Sequence, residues 1–299
     1  MPIIAYQSFN ANSSSNHGTQ ALSFQRFTKD TNVNTKKRKA EVLEYPQDPT
    51  DLATPIEGPA FKKEVPFLDK SMHTVNVFGN HISQVWQHFV RELGGMPNIM
   101  VIGELDSSHT DFKTIVGGSN VVIESFAQKK ACQSFTAISQ GGTGSQIAEI
   151  STGVGYVVYA VQGLNVVFVH VPNEFATNAE KVKNFYAKIA QDLNSGGKVI
   201  HLVLGDTNQK SLNFTANALN SAFSTTAYKT AASQASLIDT YPLLTTGTNS
   251  TGKEMYDVAV YRSDLIDMDK AVYISQSPTG ITVTDHCWLG VVVTAKNTN

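Results

Sequence analysis

The sequence is poor in cysteine, in charge and in long apolar runs. Two cysteines in 299 residues, Cys132 and Cys287, exclude a disulfide-stapled miniprotein, and they lie in no metal-ligand spacing. Their separation suits two free thiols as well as one bridge, and free thiols are the expectation. Charged residues make up only 16%, below the roughly 25% of soluble domains, so Asn, Ser and Thr must carry much of the surface. With 23 Lys+Arg against 25 Asp+Glu the formal net charge is −2. No global basic field exists, and a nucleic acid could be held only through a local patch, a metal or backbone contacts. The arginines Arg26, Arg38, Arg91 and Arg262 supply no obvious phosphate clamp. No apolar run approaches the roughly 18 residues of a membrane helix, because Tyr156 to Val171 is interrupted by Gln162, Gly163 and Asn165. A soluble chain is expected. The opening residues from Met1 to Gln7 lack a basic n-region and a long apolar h-region, so no standard secretory signal is expected and export would need another route.

What is present divides into two parts. Residues 1–70 are rich in Asn, Ser, Thr, Gln and Pro, with apolar residues in neither helical nor strand period, and read as an irregular extension. It carries the basic tetrad Lys36-Lys37-Arg38-Lys39, which suits a solvated charge run, a phosphate-contacting arm or a nuclear-localisation signal. Residues 71–299 alternate short apolar strands with helices. Ile82, Val85, Trp86, Phe89, Val90 and Leu93 predict one helix, stopped by Gly94-Gly95. Thr177 and Glu180 open a second in capping-box spacing, with Val182, Phe185, Ile189 and Leu193 on one face. Strands are predicted around 73–78, 99–103, 121–124, 155–161, 165–171, 199–204, 256–261, 271–274 and 289–293. Runs such as Val166-Val167-Phe168-Val169 predict strands buried on both faces. The glycine-rich loop Gln140 to Ser145 lacks a P-loop lysine and reads as a hairpin or lid.

Metal-competent polar residues recur where the apolar strands run out: Asn76, Glu104, His170, Asp206 with Asn208, Asp257, and Asp285 with His286. Each alone has an ordinary structural explanation; Asp206-Thr207-Asn208, for instance, suits an Asx-turn or helix cap. Together they predict one site assembled from several strands, since a buried carboxylate is costly unless it is paired or holds a cation.

The order and wording of these pieces resemble the endonuclease/exonuclease/phosphatase superfamily with the deoxyribonuclease I-like fold, over about Met72 to Val293. Leu204-Gly205-Asp206-Thr207-Asn208 is similar to the superfamily's Gly-Asp-Phe-Asn segment and Thr284-Asp285-His286 to its terminal Ser-Asp-His. Val75-Asn76-Val77 looks like its opening Trp-Asn strand, Gly103-Glu104 like its Gln-Glu metal motif, Val169-His170-Val171 like its Thr-His-Leu strand, and Tyr256-Asp257-Val258 like its Asp-Tyr segment. The block Thr74 to Glu104 is especially similar to the catalytic B subunit of cytolethal distending toxins. Val75, Gly103, Thr207 and Thr284 depart from the pattern beside the chemical residues, which puts the substrate pocket in question rather than the metal.

The resemblance implies an α/β fold of two packed mixed β-sheets flanked by helices, a four-layer sandwich. It implies a Mg²⁺-dependent phosphodiesterase, with Mn²⁺ or Ca²⁺ as substitutes. Glu104 would ligate the metal, with Asn76 and Asp285 completing or supporting the coordination. Asp206 would orient or deprotonate the water, Asn208 contact the phosphate, His286 face it, Asp257 hold His286 and raise its pKa, and His170 act on the leaving-group side. The expected substrate is DNA, nicked by an endonuclease that serves as a bacterial toxin or effector in a target nucleus, with an immunity protein or carrier subunit as partner. Two alternatives stay open: an inositol-phosphate or sphingomyelin-type phosphoesterase of the same fold, and a non-catalytic interaction module.

Overall fold

The computed structural model describes residues 1–8, 19–24, 61–66, 90, 93–105, 121–126, 134–139, 147–194, 197–209, 213–231, 256–274, 286 and 288–296. In chain order the strands are β1 (Ile3–Ser8), β2 (Thr19–Phe24), β3 (Phe61–Pro66), β4 (Ile99–Leu105), β5 (Val121–Phe126), β6 (Ser134–Ser139) and β7 (Ile147–Gly153). They continue with β8 (Tyr156–Val161), β9 (Leu164–His170), β10 (Leu202–Asp206), β11 (Tyr228–Thr230), β12 (Asp257–Arg262), β13 (Ile266–Ile274) and β14 (Trp288–Ala295). The helices are α1 (Asn173–Ala176), α2 (Ala179–Asn194) and α3 (Phe214–Phe223).

Two six-stranded mixed sheets pack face to face, as the sequence predicts. The first runs β13-β14-β1-β4-β6-β5 and the second β11-β12-β10-β9-β8-β7, while β2 and β3 form a separate antiparallel pair. The parallel pairs are β1 with β4 and β9 with β10. Alternation of side chains assigns the faces. On β9, Val166 and Phe168 enter the core between the sheets, while Val167 and Val169 enter a second core under α2 and α3. On β10, Leu202 and Leu204 point inward and Val203 points to the helices. This double burial is why these strands read as unbroken apolar runs. Helix α2 supplies Val182, Tyr186, Ile189 and Leu193 to the outer core, the face that the 3.6-residue period marks.

The predicted helix ending at Leu93 is seen only at Val90 and Leu93, both helical, with Gly94 beyond at φ 76°. Its remainder, the predicted strand 73–78, the tetrad 36–39, both cysteines and the loop 140–145 lie outside the described residues.

One expectation needs correction. The composition of residues 1–70 predicts an irregular extension, yet Ile3–Ser8 is an interior strand, pairing antiparallel with β14 and parallel with β4. The place between those strands is therefore filled by β1. Ile4, Ala5 and Tyr6 are fully buried there. Hydrogen bonding to two neighbours and an apolar slot on each face outweigh the polar composition of the chain that follows.

Candidate active site

Strand pairing alone draws three candidate residues into a row. Asp206 ends β10; its register partner on β9 is His170 and its partner on β12 is Asp257. All three continue the inward-facing series of their strands, so they cap the core between the sheets. Asp206 is 2% exposed, Asp257 0% and His170 6%. Two carboxylates opposite each other on neighbouring strands repel, and at this depth they require compensation.

His286, 6% exposed and reached just before β14, provides part of it. Its Nδ1 donates to Asp257 Oδ2 at 2.9 Å, which fixes the tautomer and aims Nε2 at Asp206 Oδ2, 3.8 Å away. The ring stacks near Tyr256, with centroids 6.5 Å apart. Asp206 Oδ2 also lies 4.0 Å from His170 Nε2, so one carboxylate oxygen stands between two imidazoles.

Glu104 joins the site by a break in regularity. Ile99 and Val101 face the second sheet, so strict alternation would send Glu104 to the far face of β4. The β4–β6 ladder instead slips between Ile102 and Leu105, and Glu104 adopts φ 56°. The carboxylate turns toward the other residues: Ser8 Oγ donates to Oε2 at 2.5 Å and His170 Nε2 lies 3.6 Å from Oε1. Asn208 also has a left-handed backbone, φ 51°. Such conformations cost on the order of 1 kcal/mol for a side chain with a Cβ, and their concentration at a cluster is a mark of functional demand.

The segment after β10 is tied down at every residue. Asp206 Oδ1 accepts from the Asn208 N–H at 2.8 Å, the predicted Asx-turn, while Oδ2 remains toward the histidines. Thr207 donates through both N–H and Oγ1 to the Tyr256 carbonyl. Asn208 Nδ2 donates to the Val171 carbonyl and Gln209 Nε2 to that of Ala176. Gly205 admits the Val169 backbone so closely that a Cβ would lie 2.0 Å from its carbonyl oxygen.

Sequence reasoning missed the contribution of β1. Ser8 holds Glu104, and Gln7, fully buried, donates through Nε2 to the His286 carbonyl at 3.2 Å. Tyr6 lies beneath them with its ring 6.3 Å from Phe168. Its hydroxyl occupies the space of a Gly103 side chain, 2.6 Å from where that Cβ would be. Burial, then the charges of Asp206, Asp257 and Glu104, push the Tyr6 hydroxyl well above its usual pKa, so it stays protonated. The only sequence signal for this strand was the short run Ile3-Ile4-Ala5-Tyr6.

Of the eight predicted site residues, Glu104, His170, Asp206, Asn208, Asp257 and His286 converge, while Asn76 and Asp285 lie outside the described residues. Ligand atoms of Glu104, Asp206 and His286 lie within 4.8 Å of one another, the separation at which one cation can bridge them. No lysine or arginine pairs with Glu104 or Asp206 among the described residues. A buried and a half-buried carboxylate that lack, among the described residues, a lysine or arginine partner fit a divalent metal, which would supply the compensating charge.

No protein-family model matches the sequence, and no curated protein sequence does either. Solved structures do match in shape. A zebrafish (D. rerio) TDP2 humanised by 14 mutations superposes with a TM-score of 0.51 at 10% identity, over 98% of each chain. An endonuclease/exonuclease/phosphatase from Bacteroides vulgatus superposes with a TM-score of 0.50 at 10% identity, over 99% of each chain. The two sheets and their connections thus form the endonuclease/exonuclease/phosphatase, or deoxyribonuclease I-like, fold.

Proposed function

We propose that this chain is a Mg²⁺-dependent phosphodiesterase that nicks DNA. The observation that carries the reading is the convergence of Glu104, Asp206 and His286, backed by the Asp257–His286 pair and by His170, at one end of the packed sheets. A phosphodiester is anionic and inert, so hydrolysis needs charge neutralisation, an aligned water and protonation of the leaving alkoxide. Glu104 would hold the metal, with Asp285 and Asn76 as the further ligands that the resemblance implies and with Asp206 and His286 within reach of the same ion. A bound divalent cation supplies charge neutralisation and a polarised phosphoryl oxygen.

The remaining work falls to side chains. The water oxygen forms its bond to phosphorus as the bond to the leaving alkoxide breaks, in line. Asp206 takes the water proton, and His170 delivers a proton to the alkoxide. Asp257 keeps the His286 ring in one orientation. Asn208 spends one amide hydrogen on Val171 and keeps the other for a phosphate oxygen. Residues 71–299, with β1 supplied from the N-terminal segment, would make up the catalytic unit. Kinship with the toxin B subunit, a delivered effector role, action in a nucleus and a carrier or immunity partner are finer proposals, which rest on the Thr74 to Glu104 wording and the 36–39 tetrad.

The test is nicking of supercoiled plasmid by the purified full chain with Mg²⁺ and with EDTA, beside Asp206→Asn, His170→Ala and Asp285→Ala variants. Metal-dependent nicking that all three substitutions abolish is the expected result. An intact plasmid, with turnover of an inositol phosphate or sphingomyelin, moves the activity to the alternative substrates. Metal-dependent thermal stabilisation without hydrolysis of any phosphoester makes the chain a binding module.

A further inference from the structure

A concavity lies on the helix side of β8 and β9, at the end of the sheet that carries His170. It encloses about 440 Å³ between the β7–β8 turn, α1 and α2, and among its lining residues are Tyr156, Phe175, Lys181, Asn184, Phe185 and Lys188. The four residues from α2 fall at steps of three and four and so share one helix face. Phe185 is the hub of the floor, 5.9 Å from Tyr156 in an edge-on arrangement and 6.3 Å from Phe175. Asn184 and both lysines are exposed on the walls.

Its rim carries two ammonium groups, one of them paired. Lys188 pairs with Asp192 at 3.0 Å, and that carboxylate also accepts the Tyr156 hydroxyl at 2.7 Å. Lys181 reaches the Glu174 carbonyl oxygen, an uncharged partner, so its charge is uncompensated by a carboxylate among the described residues. The groove is also wired to the candidate catalytic histidine. His170 N–H donates to the Gly155 carbonyl at 2.9 Å, and Gly155 packs so tightly that a Cβ would lie 2.7 Å from both the His170 carbonyl oxygen and Pro172.

An aromatic floor, one amide, the uncompensated Lys181 and a second ammonium group shared with Asp192 are together the chemistry that recognises a nucleotide: a ring to pack on, a base edge to hydrogen-bond and a phosphate to neutralise. We infer that this groove binds a nucleotide unit of a single strand whose neighbouring phosphodiester lies at Glu104, Asp206 and His286. The inference rests on the phosphodiesterase reading for the bound strand being substrate. A base can enter such a groove only when unstacked from a duplex, which selects single-stranded or locally opened nucleic acid.

The test separates binding from turnover. Anisotropy of a fluorescein-labelled single-stranded 12-mer deoxyoligonucleotide is measured on the full chain in EDTA. Lys181→Ala/Lys188→Ala is compared with Lys198→Ala/Lys229→Ala, which changes the net charge equally at exposed positions elsewhere. The groove pair should weaken binding about tenfold and lower the salt-dependence slope by roughly 0.7 per lost phosphate contact, while the other pair changes neither. Equal loss in both pairs, or none in the groove pair, overturns the assignment. Turnover of bis(p-nitrophenyl) phosphate, which carries no nucleoside, should match wild type within twofold in the groove pair. If wild type hydrolyses neither this diester nor the oligonucleotide, the phosphodiesterase reading fails, and the anisotropy result still decides whether the groove binds the strand.

Discussion

The two ends of β9, β10 and β12 each carry a histidine among charged and polar groups, and they resolve their electrostatics in opposite ways. At one end His201 Nδ1 accepts the Asn165 N–H at 3.0 Å, while Arg262 forms a forked pair with Asp264 and lies 5.9 Å over the Tyr228 ring. Each charge there has an opposite charge beside it and access to water. At the other end Asp206 and Asp257 face each other in the dry core, and among the described residues their neighbours are imidazoles. The first end is a satisfied structural cap. The second gathers two carboxylates and two imidazoles, among the described residues, into one buried cluster, an arrangement that the proposed divalent cation would complete.

The contrast can be broken or sharpened by substitution. Asp206→Asn keeps the shape and the Asx-turn but removes the proton acceptor and a negative charge beside the metal; phosphodiester turnover should fall by roughly 10² to 10⁴-fold, and the Mg²⁺-induced rise in Tm should shrink with it. A variant that keeps wild-type turnover would show the two ends to be equivalent. Gly103→Ala should cost about 1 to 3 kcal/mol in urea denaturation, because its Cβ meets the Tyr6 hydroxyl; adding Tyr6→Phe, which deletes the atom in the way, should recover part of it.

Asp257→Asn leaves His286 in place but loosens its tautomer, and a roughly 10- to 100-fold loss of turnover with an unchanged Tm would mark Asp257 as a positioning residue. The smallest effect belongs to the opposite end. Arg262→Ala should leave turnover unchanged and cost about 1 kcal/mol or less.

His201 gives that end a pH signature. Its pKa is lowered by burial first and by Arg262 second, and its Nδ1 accepts a backbone N–H, so the folded state prefers the neutral ring. A depressed folded pKa means that the stabilisation is present above the unfolded value of about 6.5 and is lost as pH falls through the folded value. The urea midpoint of wild type should therefore drop more between pH 8 and pH 5 than that of His201→Asn, whose side-chain oxygen can still accept.

Much of this was legible in the chain. Val166 to Val169 and Leu202 to Leu204 declare strands covered on both faces, and α2 shows its buried stripe plainly. Asp206, Asp257 and His170 could be read because each stands where such a run stops. Glu104 was identified from its neighbours, but the bulge that turns it inward has no signature in Ile102-Gly103-Glu104. Strand β1 was missed because six residues followed by an Asn- and Ser-rich stretch carry too little local pattern. Its pairing is decided by strands 95 and more residues away. Strand β6, Ser-Phe-Thr-Ala-Ile-Ser, hides similarly, Thr136 and Ser139 being buried against neighbours the sequence does not announce.

The placement of β1 also bears on how the chain reaches its native state. The second sheet is spun from one continuous stretch, Ile147 to Arg262, by short-range pairings that can form as soon as that stretch is available. The first is gathered from strands between Ile3 and Ala295 and cannot close around β1 until β14 arrives. Maturation should accordingly run in two stages, a fast local one and a slow one gated by loop closure across nearly the whole chain. Since Glu104 and Ser8 come from the late half and Asp206, Asp257 and His170 from the early one, the acidic centre would be assembled only in the final step. A nascent or half-folded molecule would hold the carboxylates without the geometry to use them.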